Sequence, residues 1–139
     1  FMKRKLNSIL LIDDDEPTNY INKLVLDELG CAKSIVSVLN GMEALDYLLT
    51  LHNNGEPLPE LIFLDINMPK MNGWEFLEEY KNLPLKQDSS SMLIMLTTSL
   101  NPDDKNKSND IDLLDGFMSK PLSKDVFLEL IHDNFPNYL

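Results

Sequence analysis

Cysteine, histidine and basic residues are scarce in this chain of 139 residues, and each scarcity excludes a class of protein. The single cysteine, Cys31, rules out an internal disulfide and suits a reducing cytoplasm. The chain contains only two histidines in addition to this cysteine, so it offers no plausible ligand set for zinc. The 12 Lys and Arg residues against 23 Asp and Glu give a net charge of −11, so we expect no direct binding to nucleic acid or to an anionic membrane.

Long hydrophobic runs are also absent. No apolar run approaches the roughly 20 residues that a membrane-spanning helix requires, and the run after the basic start is too short for a secretory signal. We therefore expect a cytoplasmic protein that does not enter a membrane. The hydrophobic fraction of 43% is enough for a core, and the length fits a single domain over residues 1–139 with its core at about 8–135.

Five apolar runs of strand length alternate with segments of helical period along the chain. The runs are Ile9–Ile12, Ser34–Val38, Leu61–Leu64, Met92–Leu96 and Phe117–Ser119. Strands that alternate with helices over short links predict a parallel sheet covered on both faces. Right-handed crossovers then favour an α/β fold with five strands in the order 2-1-3-4-5, doubly wound with about five helices.

Two of the predicted helices carry specific expectations. The first spans Glu16–Leu29 and is followed by Gly30 as a stop signal. Its apolar face is predicted to contain Ile21, Leu24, Val25 and Leu29. The segment 101–115 begins with a good cap at Asn101-Pro102 but is polar from Asp103 to Asp110, so we expect only a short or mobile helix there.

Polar residues stand at the end of four of these strands. Asp13 and Asp14 follow the first strand, Asp65 follows the third, Thr97 the fourth and Lys120 the fifth. The carboxyl ends of parallel strands share one edge of the sheet, and ligands bind there where the strand order reverses. In the predicted order that reversal falls between strands one and three, so the two acidic groups should meet.

Clustered carboxylates repel one another and are usually held together by a hard cation. Asp13, Asp14 and Asp65 therefore predict a Mg²⁺ site, because carboxylate oxygens are ligands that this ion prefers. A single Asp after a strand is more often a turn former or a helix cap than a metal ligand, so the prediction depends on the three acids together. Asp15 fits that simpler interpretation best, since it precedes Glu16-Pro17 and would favour a helix N-terminus.

The carboxylate of Asp65 is placed to attack a phosphoryl donor and form an acyl phosphate. The ammonium of Lys120 would neutralise charge on the transferring oxygens, and the hydroxyl of Thr97 would donate a hydrogen bond to one of them. The simpler interpretations are a solvated surface lysine and an ordinary β-branched strand residue. Pro121 favours the catalytic interpretation of Lys120, because it restricts the backbone at that point.

These residues together resemble the receiver domain of response regulators in bacterial two-component signalling, the CheY-like fold, in its stand-alone form. The resemblance covers the chain from Ile9 to about Phe135. It is carried by four motifs, which are Ile9–Asp15, Leu64–Gly73, Leu96–Thr98 and Gly116–Pro121.

The resemblance implies a role for each matching residue. Asp65 would accept the phosphoryl group, Asp13 and Asp14 would bind Mg²⁺, and Asn67 would offer its backbone carbonyl to the same ion. Thr97 would close on the phosphoryl group while Lys120 pairs with it. Phe117 matches the switch aromatic of the family, often a tyrosine, although it is also consistent with an ordinary core residue.

The partners implied are a sensor histidine kinase or phosphotransfer protein as donor and a separate, unidentified downstream protein. We expect self-phosphorylation and autophosphatase chemistry rather than enzymatic turnover of a substrate. One alternative is a magnesium-dependent phosphatase of small molecules, although Asn67 stands where such an enzyme has its general acid. Another is an interaction module that is not phosphorylated. The apolar face of the last helix could pair two chains in a homodimer or close the core.

Overall fold

The computed structural model describes residues 5–68, 70–83, 91–97, 114–119 and 122–134. The strands are β1 (Leu6–Ile12), β2 (Ala32–Val38), β3 (Leu61–Asp65), β4 (Met92–Thr97) and β5 (Gly116–Ser119). The helices are α1 (Glu16–Leu29), α2 (Gly41–Asn53), α3 (Gly73–Lys81) and α4 (Lys124–Asn134). The helix predicted within 101–115 falls mainly on residues outside the described ranges.

The five strands form one parallel sheet in the order β2-β1-β3-β4-β5, so the predicted α/β topology is confirmed. Strand β1 is central to the site, because it pairs with β2 on one side and with β3 on the other. Ile12, its last residue, lies opposite Val38 and opposite Leu64. The carboxyl ends of β1, β2 and β3 are therefore level with one another.

Both faces of the sheet are covered, as the nearly continuous apolar strands require. On one face, Leu10 and Ile12 pack with residues of α2 and α3, including Leu48 and Phe76. On the other face, Ile9 and Leu11 pack with residues of α1 and α4. Phe63 and Phe127 meet there edge to face with ring centroids 5.2 Å apart.

The apolar side of α4 closes this second layer of the core. Phe127 and Ile131 are fully buried, and Val126 and Leu130 pack partly buried beside them. Cys31 belongs to the same layer and is fully buried; burial raises the pKa of its thiol. No helix among the described residues is long and apolar enough to cross a membrane.

Local hydrogen bonds set where the helices begin and end. Asp15 caps α1 by accepting from the backbone N–H of Thr18 at 3.1 Å, so the simpler interpretation of Asp15 is confirmed. Asn40 caps α2 in the same way. Gly30 ends α1 in the left-handed conformation at φ 62°, which glycine adopts without steric cost.

The predicted buried face of α1 is wrong in part. Ile21 and Leu24 are 56% and 45% exposed, whereas Val25 and Leu29 are partly buried as expected. The residues that α1 does bury are Asn19, Asn22 and Leu26. The helix is rotated toward these two asparagines because Asn19 donates hydrogen bonds to backbone carbonyls at the strand ends, and a buried amide must find such partners.

Candidate functional site

Three carboxylates converge where the strand order reverses between β1 and β3. Asp13 and Asp14 directly follow β1, and Asp65 is the last residue of β3. Each offers an oxygen, and these atoms all lie within 4.8 Å of one another. Asp13 and Asp65 are only 4% and 6% exposed, whereas Asp14 is exposed to solvent. The two acidic groups thus meet at the edge that the sequence indicated.

The backbone holds this acidic group in place. The N–H of Asp13 donates to the carbonyl of Val38 at 3.2 Å, which extends the β1–β2 ladder by one bond. Oδ1 of Asp13 accepts from the N–H of Asp15 at 3.0 Å. Beyond Asp65, the N–H of Ile66 donates to the carbonyl of Leu96 at 3.1 Å. Hydrogen bonds to β2 and β4 therefore hold the backbone at Asp13 and just after Asp65.

The chain returns to the site at the start of α3. The N–H of Gly73 donates to the carbonyl of Ile66 at 2.8 Å. A Cβ atom on Gly73 would lie 2.7 Å from the carbonyl oxygen of Asp65, closer than real Cβ atoms approach. Asn72 and Glu75 form a reciprocal capping box that fixes this helix start. Only glycine lets α3 begin against the backbone of Asp65.

Gly73 was not predicted as a site residue, although the sequence carries a local signal for it. The pair Asn72-Gly73 stands directly before a helical segment, and an Asn-Gly pair marks a tight turn.

Asn67 lies in the loop after β3, two residues beyond Asp65, and its side chain is exposed. The resemblance assigns the metal contact to its backbone carbonyl rather than to this side chain.

Lys70 lies in this loop with a backbone φ of 67°, a left-handed conformation that is costly for a residue with a long side chain. Asparagine tolerates this conformation better and does not carry the unfolded-state entropy of glycine. We expect Lys70→Asn to stabilise the protein by about 0.5–1 kcal/mol in urea denaturation. Lys70→Gln removes the same charge but does not favour the left-handed conformation. Equal stability of the two variants would therefore show that the conformation of residue 70 does not limit stability.

The remaining predicted residues belong to β4, β5 and the chain beyond them. Thr97 ends β4, one residue past Leu96, which pairs with Asp65. Phe117 lies in β5, pairs with Met95 and packs half-buried against the core. Lys120 and Pro121 are outside the described residues, so the predicted approach of the lysine to the acids stays a prediction.

The chemistry of this donor set indicates the kind of ligand it can hold. All three side chains offer carboxylate oxygens, which suit a hard cation rather than zinc or copper. Two of the three carboxylates are nearly buried, where repulsion between like charges is screened less than in water. A bound divalent cation would relieve that repulsion, so the residues present fit such an ion.

The family model of the response regulator receiver domain matches residues 9–132. A two-component response regulator from Cytophaga hutchinsonii superposes with a TM-score of 0.85 and 35% sequence identity. That match covers 94% of this chain and 97% of the other.

Curated relatives include both short regulators and long kinases. The probable methanogenesis regulatory protein FilR2 of Methanothrix harundinacea is 31% identical over 117 residues, which are 83% of this chain and 72% of that protein. The sensor histidine kinase CheAY of Helicobacter pylori is 37% identical over 83 residues. This match takes in 55% of this chain but only 10% of that protein.

Proposed function

Because the chain belongs to the family of response regulator receiver domains, it is a phosphorylation-activated signalling switch, and we propose that Asp65 is its phosphoacceptor. Receiver domains take part in signalling with histidine kinases and phosphotransfer proteins. We propose that such a protein donates the phosphoryl group to this chain. The observation that carries the assignment to Asp65 is its place at the end of β3, within 4.8 Å of the carboxylates of Asp13 and Asp14.

We further propose that the cation is Mg²⁺. Asp13 and Asp14 would hold it, with Asp65 and the backbone carbonyl of Asn67 as further oxygen ligands. When bound, the ion supplies positive charge that neutralises the oxygens of the group being transferred. The carboxylate set supports this assignment because Mg²⁺ is commonly bound by one or two carboxylates together with phosphate oxygens and water.

In the transfer step, a carboxylate oxygen of Asp65 attacks the phosphorus of a phosphohistidine. The P–N bond breaks, its electron pair leaves with the imidazole, and an acyl phosphate forms on Asp65. The signal ends when water attacks the same phosphorus, the P–O bond to Asp65 breaks, and inorganic phosphate leaves with the protons of the water. This hydrolysis is the autophosphatase step, and it restores the free carboxylate.

The phosphoryl group adds negative charge at the edge shared by β3 and β4. In our proposal the hydroxyl of Thr97 and the ammonium of Lys120 bind its oxygens, and Phe117 changes its packing in response. The position of Phe117 supports this role, because it pairs with Met95 of β4, the strand that ends at Thr97. The group shifts the balance only by its differential affinity for the two states.

The test is the intact mass of the protein after incubation with acetyl phosphate and Mg²⁺. We expect the wild type to gain one phosphoryl group and Asp65→Asn to gain none, since an amide does not form the acyl phosphate. Asp46→Asn, which alters an exposed carboxylate on α2, should be phosphorylated like the wild type.

Two results would overturn the proposal. One is an equal gain of mass by Asp65→Asn and the wild type. The other is continuing hydrolysis of small phosphate esters by the wild type with many turnovers per chain, which would favour a phosphatase.

A further inference from the structure

Asn19 of α1 connects the ends of two strands at the acidic site. Its Nδ2 donates to the backbone carbonyl of Asp13 at 2.9 Å and to that of Val38 at 3.4 Å. The N–H of Asp13 donates to the same carbonyl of Val38. One buried amide therefore joins the carboxyl ends of β1 and β2 at the point where the acids begin.

The carbonyl of Asp13 is part of the peptide bond that links Asp13 to Asp14. Because a peptide unit is planar, a hydrogen bond to this oxygen fixes the orientation of the whole unit. The directions in which the side chains of Asp13 and Asp14 leave the backbone depend on that plane. Asn19 is thus bonded to the one peptide group that both acids share.

The two ends of the Asn19 amide differ in their hydrogen bonding. Asn19 lies in the first turn of α1 and is only 4% exposed. Within the part of the chain that the structure describes, its Oδ1 is buried and has no hydrogen-bond partner. A buried acceptor left in this way reduces stability. The benefit of the residue must come from its Nδ2 atom and the carbonyls that this atom binds.

We propose that Asn19 is a positioning residue that orients the Asp13–Asp14 peptide and thereby sets the affinity of the acidic site for a divalent cation. This inference rests on the proposed function, since it concerns the same site. Asn19 acts through the backbone and does not itself contact the ion. Its role corresponds to that of the hydrogen-bond partners that orient metal ligands in other proteins.

The chain offers a matched control for this proposal. Asn22 lies one turn further along α1, is 6% exposed and is the same residue type. Replacing either asparagine with alanine removes a buried amide from the same helix face. Only Asn19 is bonded to the peptide between the acids.

The test is calorimetric titration of Mg²⁺ into the wild type, Asn19→Ala and Asn22→Ala, with the unfolding midpoint of each protein measured without metal. We expect Asn19→Ala to bind Mg²⁺ about tenfold more weakly, as loss of an outer hydrogen-bond partner typically does. Asn22→Ala should bind Mg²⁺ with the affinity of the wild type, even if its unfolding midpoint is lowered as much as that of Asn19→Ala. If either alanine variant fails to fold, Asn19→Leu and Asn22→Leu provide the same comparison with the volume retained.

Amide hydrogen exchange in the metal-free proteins gives a second, independent readout. The N–H groups of Asp14 and Asp15 should exchange faster in Asn19→Ala than in the wild type. Their exchange rates should be unchanged in Asn22→Ala. Equal Mg²⁺ affinity in Asn19→Ala and the wild type would overturn this inference and leave Asn19 a structural residue. Equal weakening in both alanine variants would also overturn it. Failure of the wild type to bind Mg²⁺ would instead refute the proposed function.

Discussion

Replacement of Gly73 by alanine is expected to destabilise the protein and to displace Asp65. The added Cβ would lie 2.7 Å from the carbonyl oxygen of Asp65 and 3.1 Å from the Cα of Ile66, and both are backbone atoms. Since the backbone must then move, we expect a loss of about 1–3 kcal/mol in stability. The displaced Asp65 should also be phosphorylated several-fold more slowly by acetyl phosphate in the presence of Mg²⁺.

Gly41→Ala provides the control for this prediction. Its Cβ would lie 2.7 Å from the Sδ atom and 3.0 Å from the Cγ atom of Met71, and both atoms belong to a flexible side chain rather than to the backbone. We expect Met71 to adopt another rotamer, so that stability and phosphorylation rate stay close to those of the wild type. Urea denaturation and the time course of phosphorylation measure both effects. Similar behaviour of the two alanine variants would show that the approach of Gly73 to Asp65 does not matter.

Neutralising Asp14 is expected to have opposite effects on the metal-free and metal-bound protein. Without metal, Asp14→Asn removes repulsion of about 1 kcal/mol, the Coulomb energy of unit charges ~4–5 Å apart in water. With Mg²⁺, the substitution removes an oxygen ligand. Loss of an outer hydrogen-bond partner typically lowers metal affinity by roughly tenfold or more, and we expect loss of a direct ligand to lower it at least as much. Each tenfold loss of affinity removes about 1.4 kcal/mol of the stabilisation that saturating Mg²⁺ gives.

Asp15→Asn removes the same charge from the next residue and tests whether position or charge matters. Asp15 caps α1 and lies outside the group of three carboxylates, and asparagine caps helices as well as aspartate does. Thermal unfolding with and without Mg²⁺ should show a reduced metal-dependent shift in Asp14→Asn and a normal one in Asp15→Asn. Equal shifts in the two variants would mean that Mg²⁺ responds only to overall negative charge.

The fold and the meeting of the acids were accessible from the sequence for the same physical reason. Apolar runs of strand length that alternate with helical segments leave few topologies, and parallel strands bring their carboxyl ends to one edge. Asp13 and Asp65 follow such runs directly, so their neighbourhood depends only on strand order. The cap at Asp15 was equally local, because it needs only the residue and the helix that follows.

What the sequence did not predict depends on contacts between elements. The orientation of α1 was wrong at Ile21 and Leu24, because counting apolar residues gave no weight to Asn19, which turns toward the strand-end carbonyls. The closeness of Gly73 to Asp65 depends on how α3 enters the sheet edge. The left-handed backbone at Lys70 is likewise imposed by the loop as a whole, since lysine has no preference for it.

The alignment of β1 with β3 means that the cation site is complete only when these two strands are paired. Asp13 and Asp14 lie far from Asp65 along the chain, and only the pairing of Ile12 with Leu64 brings the two groups level. An ion that needs both groups gains nothing from a chain in which these strands are still apart. Magnesium should therefore slow unfolding of the assembled sheet, since it binds only the folded protein.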